Sequence, residues 1–156
     1  MSEAVLVLNS GSSSIKFALF SGDRQPTRKS LFCDGSCEGI DHRIRFAARD
    51  GSGAQLLDGR LPEGSSHEDA LEAVLGWLKR YFPQHELIGS GHRVVHGGTV
   101  YAGPVRIDAD VVAALTRLVP LAPLHQPHHL AAIAALSKLD SDLPQVACFD
   151  TSFHHT

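Results

Sequence analysis

No stretch of this sequence approaches the ~18 apolar residues that a membrane-spanning helix needs. Nor does any run of five or more basic residues occur. Lys and Arg number 14 against 17 Asp and Glu, a formal charge of -3. The chain therefore lacks the electrostatic footprint of a nucleic-acid binder. The first residues lack the basic region, apolar segment and cleavage site of a secretory leader, so a cytoplasmic protein is expected. Cysteine is scarce: Cys33, Cys37 and Cys148 are the three present. An odd count at this spacing argues against a disulfide framework and for a reducing compartment. Cys33 and Cys37 do not form a CxxC pair, and all three are expected to be ordinary buried or half-buried thiols. Internal repeats and low-complexity tracts are also missing.

What is present suits one compact domain: 156 residues, 43% of them hydrophobic. Ala4 to Leu8 is apolar throughout, which predicts a strand covered on both faces. A second strand is expected over about 15–21, a third over Ser30 to Cys33, and a hairpin of 43–48 with 54–58 around Asp50-Gly51-Ser52-Gly53. Ser65-Ser66-His67-Glu68 resembles a capping box, with Ser65 as cap and Glu68 reaching back. Leu71, Val74, Leu75, Leu78 and Phe82 follow at helical spacing, and Pro83 ends that helix. Leu87 to Val95 reads as a strand. Asp108 can cap a helix carrying Val111, Val112, Leu115 and Leu118, stopped by Pro120. A third helix starts near Pro127 and carries Leu130, Ile133 and Leu136. A last strand spans 145–149. Strands first, then alternating helices and strands, predict a mixed α/β sheet.

Four segments offer chemistry. Asn9-Ser10-Gly11-Ser12-Ser13-Ser14-Ile15-Lys16 lies between two apolar runs. It supplies hydroxyls, unobstructed backbone N–H groups and one ammonium, the groups that cradle phosphate. It is neither a Walker A loop nor GxGxxG. A Ser-rich hairpin turn with no ligand is an even alternative. In Gly91-His92-Arg93-Val94-Val95-His96-Gly97-Gly98, strand alternation puts Arg93 and Val95 on one face and His92, Val94 and His96 on the other. A guanidinium beside an apolar side chain can grip a small carboxylate by head and tail. An edge-strand arginine paired with a surface acid competes with that reading. In Leu121-Ala122-Pro123-Leu124-His125-Gln126-Pro127-His128-His129, zinc is a weak option because Pro127 interrupts the spacing and no HExxH glutamate is present. A single histidine at a helix start, donating to an anion, fits better; a histidine that merely packs fits equally well. Asp150 follows an apolar strand, where carboxylates orient nucleophiles, accept protons or hold magnesium through water. It can equally serve as a helix N-cap. Together these groups make the minimum kit for phosphoryl transfer.

The same residues carry a family resemblance. Val7 to Phe17 resembles the N-terminal signature of acetate kinases, and Gly91 to Gly98 resembles their second. Leu121 to His125 and Phe149-Asp150-Thr151-Ser152-Phe153-His154 are similar to two further blocks, in the right order. The resemblance implies the acetate and sugar kinase, Hsp70 and actin superfamily. Its fold is a ribonuclease-H-like mixed sheet with flanking helices, one lobe of an actin-like ATPase. Residues 1–156 then correspond to the N-terminal lobe of a two-lobe kinase. The resemblance implies ATP and acetate as substrates, acetyl phosphate and ADP as products, Mg²⁺ as cofactor and a homodimer of the full-length protein. It places Asn9 near the metal and Ser12, Ser14 and Lys16 near the ATP phosphates. Arg93 would bind the carboxylate and steady the transferring group. Val95 and Leu124 would line the methyl pocket, His125 would donate to phosphoryl oxygens, and Asp150 would be the catalytic carboxylate.

Two positions depart from the family pattern. Gln126 stands where Asn is usual, and His155 where Gln is common. Three rivals stay open: a propionate or butyrate kinase of the same family, an isolated lobe that binds anions without turnover, and a histidine-rich metal protein.

Overall fold

A computed structural model describes residues 2–11, 13–22, 30–40, 43–94, 105–117, 126–139 and 142–149. The chain begins with five strands: β1 (Ser2–Ser10), β2 (Ser14–Ser21), β3 (Leu31–Glu38), β4 (Arg45–Asp50) and β5 (Gln55–Arg60). Helix α1 (His67–Tyr81) follows, then β6 (His85–Val94), the short β7 (Val105–Arg106), α2 (Ala109–Arg117), α3 (Gln126–Leu139) and β8 (Gln145–Phe149). The eight strands among the described residues form one sheet in the order β5-β4-β3-β2-β1-β6-β8-β7. β1 runs parallel to β6, and β6 parallel to β8; the other pairs are antiparallel. The mixed α/β expectation holds.

The apolar strands are two-sided in composition but not in burial. Ala4, Leu6 and Leu8 are buried, whereas Val5, Val7 and Asn9 between them are half-buried. The expectation that β1 is covered on both faces is therefore corrected. Helices α1 and α3 pack on the face of Leu6 and Leu8 and contribute Leu71, Val74, Ala135 and Leu136 to the same core. The other face forms a broad open groove of about 600 Å³ lined by Val7, Asn9, Lys16, Ala18 and side chains of β3 and β4.

Within the core, Phe17, Phe46 and Trp77 meet edge-to-face, with ring centroids 5.9–6.4 Å apart. This is the favourable geometry for aromatic quadrupoles. Gly35 lies beneath that cluster. A Cβ there would come within 2.4 Å of the Ala47 carbonyl and 2.6 Å of the Phe17 ring, so no larger residue fits without moving backbone.

The predicted capping box exists one residue later than expected. Ser66, in extended conformation, accepts from Asp69 N, and Asp69 accepts from Ser66 N. Ser65 cannot cap because its hydroxyl donates to the Pro62 carbonyl at 2.6 Å. The third strand is also longer than expected, and β7 was not anticipated. The Asp108 cap is as predicted: Val111 N donates to its carboxylate at 2.8 Å. Leu118 and Pro120 lie outside the described residues. The hairpin turn is held by Asp50, whose Oδ1 accepts from Ser52 N, Ser52 Oγ and Ala54 N at 2.7–3.0 Å. The Ser52 hydroxyl first, then the Ala54 amide, hold this carboxyl below its ordinary range. Its pull towards the folded state is present above the ordinary carboxylate pKa and is lost as pH falls through the lowered value.

Cys33 and Cys37 are fully buried and unpaired, as expected. Burial pushes both thiols up to about 12, with the Asp34 carboxylate adding to the effect at Cys33. The thiolate is the reactive form. Peptide mapping after iodoacetamide treatment at pH 8 is expected to find both unmodified in folded protein and both alkylated in guanidinium. Rapid labelling of the native protein would show that the core opens readily.

Candidate functional site

The strand order brings the first two chemical segments, and the end of the strand that precedes Asp150, to one end of the sheet. β1, β6 and β8 are neighbours and parallel, so their carboxyl ends coincide, and β2 starts at that same end. Lys16 on β2 is the direct cross-strand partner of Asn9 on β1. On the other side of β1, Leu8 is in register with His92, so Arg93 follows one step further, beside Asn9. Burial alternates accordingly. Leu8, Phe17 and His92 face the core, whereas Lys16 and Arg93 are exposed and Asn9 is half-buried. Lys16, Asn9 and Arg93 thus form a row across three adjacent strands, on the open face. Ser14, two residues before Lys16, shares that face.

The loop between β1 and β2 is tightly tied. Gly11 N donates to the Ser14 carbonyl at 2.8 Å, and the Ser13 carbonyl accepts from Gly39 N and Ile40 N. Gly39 has a φ of 82°, which favours glycine at this crossing. His67 Nε2, from the first turn of α1, lies 2.8 Å from the Gly11 carbonyl.

Arg93 is carried by a strand that is itself pinned. His92 is buried, and its Nε2 donates to Gln145 Oε1 on β8 at 2.6 Å. The Gln145 amide nitrogen donates to Ser137 Oγ and the Ile133 carbonyl on α3. Donation to a carbonyl fixes which end of the amide is nitrogen, and hence that His92 carries its proton on Nε2. One side chain therefore links β6, β8 and α3. The sequence reading placed His92 on the face opposite Arg93, as observed, but gave it no task. A histidine–glutamine pair 53 residues apart leaves no local signal.

The open face carries further charge. Arg49 Nε donates to Asp34 at 2.9 Å, a directly registered cross-strand pair. Arg45 reaches diagonally to Asp58 with two bonds of 2.9–3.0 Å, which hold that carboxyl below its usual range. Such exposed pairs set local geometry more than stability. Among the described residues no group of three or more His, Cys, Asp or Glu is placed to hold a metal ion. Asn9 offers one hard oxygen on the open face. That suits a cation such as Mg²⁺, which takes most of its ligands from water and phosphate rather than from the protein.

Of the predicted site residues, the structure brings Asn9, Ser14, Lys16 and Arg93 together. Ser12, Val95, Leu124, His125 and Asp150 lie outside the described residues. The flanking elements are described: β8 ends at Phe149, opposite Val94, and α3 begins at Gln126.

Comparison with known proteins bears on this arrangement. A model of the acetokinase family matches residues 4–156. The acetate kinase of Rhodopseudomonas palustris is 50% identical over 155 residues, covering 99% of this chain and 39% of that protein. That of Methylocella silvestris is 40% identical over 163 residues, covering 100% of this chain and 40% of that protein. Among solved structures, a propionate kinase from Francisella tularensis superposes with a TM-score of 0.84 at 33% identity, over 99% of this chain and 38% of that one. Porphyromonas gingivalis acetate kinase gives 0.83 at 32% identity, over 99% and 39%. The chain thus spans about two fifths of the length of these relatives.

Proposed function

Since this chain belongs to the acetokinase family, we propose that it is the N-terminal lobe of a two-lobed enzyme moving a phosphoryl group between ATP and acetate. The reaction is ATP plus acetate to ADP plus acetyl phosphate, reversibly. The observation that carries the proposal is the Lys16–Asn9–Arg93 row on one face at one end of the sheet. A carboxylate is ionised at neutral pH and is already a nucleophile, so no strong base is required. The difficulty is that an anion attacks a polyanion. Cations fixed in advance on a rigid sheet meet that difficulty without reorganising during the reaction.

In this reading Lys16, with Ser14 and Ser12, holds the ATP phosphates. Arg93 takes the carboxylate with its planar fork and faces the transferring group from the acceptor side. Val95 and Leu124 line the space for the methyl group, His125 donates to phosphoryl oxygens, and Asp150 orients the acceptor. Asn9 would hold Mg²⁺ through its carboxamide oxygen or a bound water, and the ion would neutralise phosphate charge. The second lobe would supply the adenosine pocket, and the complete protein would pair as a homodimer. By itself the N-terminal lobe is expected to bind anions without turnover.

The complete enzyme, given ATP, Mg²⁺ and acetate, is expected to form acetyl phosphate, trapped as the hydroxamate. ATP consumption without an acyl phosphate would overturn the proposal. Lys16→Ala is expected to raise KM for ATP at least tenfold while the KM for acetate changes little. Equal changes in both constants would remove the assigned role of Lys16.

The structural likeness to the Francisella propionate kinase makes acyl length a real second reading. One methylene is worth only ~1–3 kcal/mol in an apolar pocket. The ratio of kcat/KM for acetate, propionate and butyrate decides between them.

A further inference from the structure

An anion-binding loop must present N–H groups to its ligand and keep carbonyl oxygens away from it. Among the described residues of the β1–β2 loop, three carbonyls have partners that hold them. That of Ser14 accepts from Gly11 N, and that of Ser13 from Gly39 N and Ile40 N. That of Gly11 is taken by a side chain from the helical layer, His67 Nε2 at 2.8 Å across 56 residues. A carbonyl can only accept, so Nε2 carries a proton, and it does so whether the ring is neutral or charged.

His67 stands on a firm base. It is the first residue of α1, whose start is fixed by the Ser66–Asp69 capping box. Further along, that helix buries Leu71, Val74, Trp77 and Leu78. The neighbouring Ser10 gives the loop no side-chain anchor of its own. Ser10 is 3% exposed and its hydroxyl has no hydrogen-bond partner among the described residues, in a cavity of about 300 Å³ that His67 and Ile15 also line.

We propose that His67 is a positioning residue for the phosphate loop: it latches the Gly11 carbonyl towards α1 and so keeps that oxygen turned away from the nucleotide, without touching the nucleotide itself. The proposal rests on the reading above, in which this loop takes the ATP phosphates. Losing one hydrogen bond to a backbone carbonyl corresponds to about a fivefold to tenfold change in an equilibrium constant.

The test uses the complete enzyme, with His67→Ala and His67→Gln. Glutamine can place an amide nitrogen near the imidazole Nε2 and restore the donation. His67→Ala is expected to raise KM for ATP about fivefold to tenfold, with KM for acetate changed less than about twofold. His67→Gln is expected to recover most of the loss, and the thermal midpoints of the two variants to agree within a few degrees. An unchanged ATP constant in His67→Ala overturns the proposal alone. So does a parallel rise in both Michaelis constants with a lowered midpoint that His67→Gln fails to correct, since that marks a merely structural contact. A wild-type enzyme that makes no acetyl phosphate overturns both this proposal and the functional reading beneath it.

Discussion

Arg93→Ala in the complete enzyme is expected to cut kcat/KM for acetate by ~10³ or more, as loss of a phosphoryl-clamping arginine does elsewhere. The reasoning is geometric. Arg93 is exposed, yet its strand is locked by a chain that runs from the buried His92 through the buried Gln145 to Ser137 on the surface of α3, so its backbone is held for the task. In the proposed mechanism, deleting the side chain removes two parallel donors and a full charge from the acceptor side. Neither can be replaced by water at comparable cost in reorganisation. Arg93→Lys should recover only part of the loss, because an ammonium supplies charge but not the planar fork. Steady-state kinetics with acetate and ATP varied separately provide the check. A near-normal kcat/KM for the alanine variant would reduce Arg93 to a surface residue and remove the clamp from the mechanism.

Phe17→Ala is expected to destabilise the fold by ~3–5 kcal/mol, the usual cost of deleting a buried aromatic ring. Phe17 is 3% exposed and touches both Phe46 and Trp77 at edge-to-face separations. Its ring also roofs Gly35, where no side chain can expand into the void. A domain typically holds only ~5–15 kcal/mol in reserve. Calorimetry of the complete protein should therefore show the transition containing this lobe shifted down by roughly 6–20 °C. Phe17→Leu, which keeps most of the volume, should cost less than about half as much. A shift of under two degrees for the alanine variant would mean the core closes over the gap. The effect reaches the site because burial of Phe17 is what turns the preceding residue, Lys16, outward beside Asn9.

These two residues show what the sequence could and could not disclose. Helix α1 was legible because Leu71, Val74, Leu75 and Leu78 repeat at its period and all four are buried. Its start was misplaced by one residue because Ser65 and Ser66 are chemically equivalent; only the turn at Pro62 uses up the first. Ala4 to Leu8 announced a strand but concealed which side faces the core, since valine and leucine alternate without a polar mark. β7 has two residues and no periodicity to detect.

At the site, Asn9, Ser14, Lys16 and Arg93 could be named from their types and neighbours. Their assembly depends on the parallel register of β1 and β6, fixed by backbone pairing between distant parts of the chain. The support beneath them was invisible for the same reason. His67 meets Gly11, and His92 meets Gln145, across more than fifty residues. The family resemblance supplied roles; the sheet supplied the distances.

The ladder that seats Lys16, Asn9 and Arg93 also acts as a gauge. Adjacent strands sit about 4.8 Å apart, so the backbones bearing the two cations are held roughly 10 Å from one another whatever side chains the rest of the lobe carries. Point substitutions cannot stretch that spacing without breaking the ladder. In the proposed mechanism, a preference for longer acids would therefore have to evolve in segments that leave the strand ends, while the span between nucleotide tail and acceptor head stays constant.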